Sequence, residues 1–117
     1  MDNTHQETTP TIDLELRRGV LVLAALRCLH AEAYGYALKK TLAEGGLDID
    51  EGTLYPLLRR LEAQGLLASE WRVEEGRPRR YYRTSTAGLA AEAGLTERWR
   101  AIVAAMDRIL DDGGSEA

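Results

Sequence analysis

Seven consecutive apolar residues, Val20-Leu21-Val22-Leu23-Ala24-Ala25-Leu26, set the first constraint on the fold. They lie in a segment that reads as a helix from Thr11 or Asp13, either of which can cap it, to about His30. A helix apolar on all sides must be covered on more than one face. A chain of 117 residues has a modest core, so the second cover is expected at a domain or dimer interface. The uncharged run Gly19–Leu26 is far too short to cross a bilayer, so no membrane role is expected. The polar, acidic start shows no signal-peptide pattern, and the single cysteine excludes an intramolecular disulfide framework. Both point to a cytoplasmic protein.

The rest of the chain reads as alternating helix and turn signals. Residues 1–10 are expected to be a frayed, disordered tail. A second helix is expected over Tyr34 to Ala43, stopped at Gly45-Gly46. A third covers about Gly52 to Gln64, with Leu54, Leu57, Leu58 and Leu61 at i, i+3, i+4 and i+7 forming one buried stripe. Pro56 fits only the first turn, so Thr53 is expected to cap this helix. Opposite the stripe lie Thr53, Pro56, Arg59, Arg60 and Ala63, with Tyr55 on the flank. Two strand-like runs follow, Leu66 to Val73 and Arg79 to Thr84, separated by the turn Glu74-Glu75-Gly76-Arg77-Pro78. Ser85 or Thr86 then caps a last helix to about Asp112, with a short tail over 113–117. Its Leu95, Trp99, Ile102, Met106 and Ile109 are spaced 4, 3, 4, 3, the seam of a dimer interface. The fold expected is mainly α with a small β-hairpin. It is a winged helix-turn-helix over 11–84 followed by a C-terminal dimerisation helix over 85–112.

Net charge, −4, argues against a nucleic-acid partner until its distribution is seen. Residues 1–15 carry four acids and no base and residues 111–117 carry three more acids, which leaves +3 on residues 16–110. Arg77, Arg79, Arg80 and Arg83 fall within seven residues that hold no acid. Such crowding repels unless an anion lies near, and a phosphate backbone is the natural one. An ion-pair network with Glu74 and Glu75 is the alternative. On the third helix Arg59 or Arg60 can bond guanine or a phosphate, and the hydroxyls of Thr53 and Tyr55 can bond phosphates.

At residues 34–88 the chain resembles the PadR family of bacterial transcriptional regulators. The resemblance rests on Tyr34-Gly35-Tyr36-Ala37-Leu38, on Glu51-Gly52-Thr53-Leu54-Tyr55-Pro56-Leu57-Leu58-Arg59-Arg60-Leu61-Glu62 with Gly65-Leu66-Leu67, and on Gly76-Arg77-Pro78-Arg79-Arg80-Tyr81-Tyr82-Arg83. The last helix matches in length and position the members with a single C-terminal helix. The resemblance implies a homodimer, joined through its first and last helices, that binds a pseudo-palindromic operator in double-stranded DNA and usually represses. Thr84 departs from the family's usual leucine, which predicts a loosened wing base.

Thr53, Tyr55, Pro56, Arg59, Arg60, Arg77, Arg79 and Arg80 are therefore the candidate DNA-binding residues. Across a two-fold axis Trp99 can face its own copy and leave an apolar slot with Val103 and Met106, suited to a small aromatic or hydrophobic inducer. Glu97 or Asp107 can lie at its rim. The alternative for Trp99 is plain packing. Cys28, on the apolar first helix, reads as a small buried hydrophobe. His5 and His30 are too few and too scattered for a metal site, and no cofactor is implied. No nucleophile–base pair, phosphate loop or paired carboxylate set supports an enzyme. Two other regulators of interaction stay open: a winged-helix protein–protein adaptor without DNA binding, and a MarR-like regulator, for which little sequence precedes Leu14.

Overall fold

The computed structural model of the chain describes residues 3–115, with side chains described over 11–111. Its elements are α1 (Asn3–Cys28), β1 (Ala33–Tyr34), α2 (Gly35–Glu44), α3 (Glu51–Ala63), β2 (Leu67–Glu74), β3 (Arg77–Thr84) and α4 (Thr86–Ser115). Three antiparallel strands form one sheet in the order β1-β3-β2. The result is the expected helical protein with a hairpin, extended by one short strand.

The core is built where the periodicity placed it. Leu54, Leu57, Leu58 and Leu61 are all buried on the inner face of α3. They pack with Leu21, Ala25, Leu26 and Leu29 of the first helix and its end, with Leu38 and Leu42 of α2, and with Ile49, Leu67 and Tyr82. The apolar run of α1 is thus covered by the winged head on one side. Val22 and Ala24 of α1, and Ala91 and Leu95 of α4, are partly buried against the same core.

Boundaries differ from the sequence reading in four places. α1 already begins at Asn3, so residues 3–10 are helical rather than a tail. Residues 1 and 2 of that expected tail lie outside the described residues. α4 runs on through Gly113 and Gly114 to Ser115, since glycine costs a helix about 1 kcal/mol and does not forbid its last turn. Residues 116 and 117 lie outside the described residues. The hairpin turn is tighter than expected: Glu74 pairs with Arg77, leaving only Glu75 and Gly76, both at positive φ (53° and 77°). Two such residues give the turn the twist a two-residue hairpin needs.

The fourth difference is Pro78, which enters β3 opposite Val73. It is tolerated because β1 covers β3 only at Tyr81 and Tyr82, so the other edge of β3 is open at Pro78 and no ladder donor is missed there. Strand β1 has no pattern of its own. Ala33 and Tyr34 are extended because Tyr82 and Tyr81 pair with them.

Candidate nucleic-acid interface

α3 starts from Asp50, whose carbonyl accepts from the Thr53 and Leu54 amides at 3.1 and 3.0 Å. Thr53 therefore lies inside the first turn and is not the cap. Pro56 falls in the second turn, deeper than expected. The carbonyl it leaves without a helical donor is that of Gly52. Both residues are exposed, so water can satisfy it.

The outer surface of α3 divides in two. Tyr55 and Arg59, one turn apart, face a cleft of about 350 Å³ between the start of α2 and the wing. Tyr34, Tyr36, Trp71, Arg79, Arg80 and Tyr82 line the same cleft. Thr53, Pro56 and Arg60 line a second cleft, of about 400 Å³, shared with Arg18 and Leu21 of α1. The candidate DNA-binding residues on α3 are thus together on one helix but not on one side of it, and Arg18 is a cation the sequence reading did not include.

Close packing sets the first cleft. A Cβ on Gly35 would stand 2.1 Å from the Tyr55 ring, so the helix start and the ring fit only because that residue is glycine. Burial, with Glu51 adding to it, pushes the Tyr55 hydroxyl above its ordinary value of 10.0, so it remains a hydrogen-bond donor at neutral pH. The Arg79 guanidinium stacks over Tyr34 at 4.5 Å, and the Tyr34 and Tyr81 rings meet edge to face at 5.5 Å.

The wing arginines do not act as a single group. In the register Trp71–Arg80 and Arg72–Arg79, successive residues face opposite sides of the sheet. Arg80 joins Ser69, Trp71 and Tyr82 on the side toward α3, while Arg77 and Arg79 lie on the other with Arg72, Glu74 and Tyr81. Arg79 is 3.7 Å from Glu74, whose carboxylate also accepts from the Tyr81 hydroxyl at 2.5 Å. Arg80 is paired with Glu62 at 2.7 Å. Of the candidate DNA-binding arginines, Arg59, Arg60 and Arg77 are exposed and have no acidic partner among the described residues.

Thr84 does not loosen the wing base. It is buried, its hydroxyl donates to the Leu26 carbonyl at 2.6 Å, and its amide donates to the Leu29 carbonyl at 2.9 Å. Ser85 caps α4 by accepting from the Gly88 amide at 3.0 Å.

Between α1 and α4 lies a further cleft of about 480 Å³, lined by Val20, Leu23, Ala24, Arg27, Glu92, Thr96, Trp99 and Arg100. Of the three residues expected to hold a ligand, only Trp99 reaches it. Val103 and Met106 stand farther along α4, where the helix leaves the head. The buried carboxylate at this cleft is Glu92, which the sequence reading missed. It pairs with His30 and lies 3.8 Å from Arg27. Of the expected dimer seam, Leu95 packs against the core, while Trp99, Ile102, Met106 and Ile109 are exposed, with Val103 and Leu110 beside them. Cys28 is half-buried, and burial, partly offset by Arg27, raises its thiol above 9.0. Among the described residues no group of three metal-ligating side chains occurs, and no helix is long and apolar enough to cross a membrane.

Comparison with known proteins agrees with this geometry. The profile of the Transcriptional regulator PadR-like family matches residues 22–93, from the apolar run of α1 to the first turns of α4. Transcriptional regulator Rv3488 of Mycobacterium tuberculosis is 52% identical over 71 residues, which is 61% of this chain and 64% of that protein, so the match spans just under two thirds of the relative's length. The crystal structure of a PadR family transcriptional regulator from Eggerthella lenta is 44% identical, with a TM-score of 0.83 over 93% of this chain and 97% of that one. The chain belongs to the PadR-like family, whose members are transcriptional regulators and not enzymes.

Proposed function

We propose that the protein is a homodimeric, sequence-specific DNA-binding repressor. α3 enters the major groove and the hairpin lies against the neighbouring backbone. Two copies of α3 meet half-sites of a pseudo-palindrome about 34 Å apart. The observation that carries this reading is the set of exposed arginines without acidic partners on α3 and the hairpin: Arg59 at the cleft lined by aromatic rings, Arg60 at the neighbouring cleft and Arg77 at the hairpin turn. Tyr55 and Thr53 supply hydroxyl donors for phosphates near the start of the helix.

The exposed apolar stripe of α4 supports self-association, since Ile102, Val103, Met106, Ile109 and Leu110 form a contiguous uncovered face. A small aromatic or hydrophobic inducer fits the cleft beside Trp99, where α1 and α4 meet. A ligand that prefers one angle between these helices shifts the spacing of the two heads and releases the operator.

The test is a titration of the pure protein against fluorescent DNA from the intergenic region upstream of its gene, at rising salt. Affinity should fall as a power of salt concentration, by about 0.9 in log–log slope for each phosphate contact. Binding that ignores salt, or no preference over unrelated DNA, refutes the reading. Arg59→Ala or Arg60→Ala should change sequence preference by about 1–3 kcal/mol at one base pair, whereas Arg77→Ala should weaken all sequences alike.

A further inference from the structure

Resting on the DNA-binding reading above, we propose that Arg80 is not a phosphate contact but a positioning residue. It ties the wing to α3 and presents Trp71 to the nucleic acid.

Three side chains form a closed ring of hydrogen bonds. Arg80 Nη2 donates to Glu62 Oε1 at 2.7 Å, Arg80 Nε donates to Ser69 Oγ at 3.1 Å, and the Ser69 hydroxyl donates to Glu62 Oε2 at 2.6 Å. Glu62 belongs to the last turn of α3, Ser69 to β2 and Arg80 to β3, so one carboxylate joins all three elements. Both oxygens of Glu62 are occupied, and the guanidinium uses the Nε and Nη2 donors of one edge. Such a charge-assisted fork fixes an angle as well as a distance. Among the described residues it is the only ion pair between the wing and α3.

The same guanidinium lies 5.6 Å from the ring centres of both Trp71 and Tyr82. Tyr82 is buried, but Trp71 is 64% exposed, a large ring held in water at the edge of the cleft. With Arg80 against it, the indole has a fixed support and an open side. That is the arrangement of an aromatic side chain that packs on sugar or base edges.

Electrostatics disfavour the simpler role. If Arg80 left Glu62 for a phosphate, the carboxylate would stand unpaired beside a polyanion. Arg59, Arg60 and Arg77 carry no such cost.

The experiment uses Arg80→Ala, Arg80→Lys, Glu62→Gln and the double variant Glu62→Gln/Arg80→Ala in the full chain. Amide exchange over residues 67–84 without DNA reads the tie itself, and titrations of the intergenic DNA at several salt concentrations read its consequence. Each variant should speed exchange in the wing and weaken binding on the order of tenfold, the size of one charge-assisted hydrogen bond, with the salt slope unchanged. The double variant should bind no worse than the poorer single one, because one unit has been broken. Lysine, which keeps the charge but not the fork, should not rescue. The inference is overturned if Glu62→Gln tightens binding by freeing a cation, if Arg80→Ala lowers the slope by about 0.9, if lysine restores affinity, or if wing exchange is unchanged. Should the wild-type protein not bind DNA at all, the regulator reading falls, and amide exchange alone still decides whether the tie exists.

Discussion

Thr84→Val isolates one hydroxyl at the joint of wing and first helix. The exchange keeps shape and β-branching at a buried position and removes only the donor that meets the Leu26 carbonyl at 2.6 Å. That carbonyl belongs to the last turn of α1, which ends at Cys28, and the helix has no amide of its own to offer it. Stranding a buried acceptor costs about 1–3 kcal/mol. The added methyl returns roughly 0.8 kcal/mol, so a net loss of about 0.2–2.2 kcal/mol is expected. For a chain of this size that lowers the melting temperature by roughly 1–10 °C. The assay is circular dichroism melting at one fixed protein concentration, because the proposed dimer would make the midpoint depend on concentration. Urea unfolding should show a lower midpoint with the same slope. A valine variant as stable as the wild type would show that the hydroxyl caps nothing.

Three further perturbations follow from the same geometry. Gly35→Ala drives a methyl group into the Tyr55 ring and should cost about 1–3 kcal/mol, with DNA affinity falling too; denaturant unfolding that leaves stability intact would mean the ring moves freely. Met106→Glu or Ile109→Glu charges the exposed face of α4 and should shift sedimentation from dimer to folded monomer, while an unchanged dimer would place the interface elsewhere. For Cys28 the folded pKa is raised by burial, so its contribution to stability is present below the unfolded value near 9.0 and is lost as pH rises through the folded one. Alkylation at pH 8 should accordingly run faster in denaturant than in buffer, and equal rates would refute the burial argument.

Local periodicity made most of the head legible. The spacing of Leu54, Leu57, Leu58 and Leu61 identified the buried side of α3 without error, because one helix face needs nothing beyond its own sequence. The cap of α4 was narrowed to Ser85 or Thr86 for the same reason, and Ser85 is the one that accepts from the Gly88 amide. What the sequence hid depends on partners distant along the chain. β1 is two residues long and extended only through Tyr81 and Tyr82. Arg80 looked like one of four equivalent cations until strand alternation turned it toward Glu62, eighteen residues earlier. Thr84 looked like a defect because its acceptor, Leu26, lies in a different helix. The division of the outer surface of α3 into two clefts was equally out of reach, since it is made by α1 on one side and the hairpin on the other.

The core draws on α4 only as far as Leu95, and every large apolar side chain described beyond it, from Trp99 to Leu110, is at least a third exposed. On the proposed dimer reading, folding of the head and choice of mate lie in separate stretches of the chain, so substitutions in the distal stripe alone would change which subunits pair and leave the surface of the head unaltered.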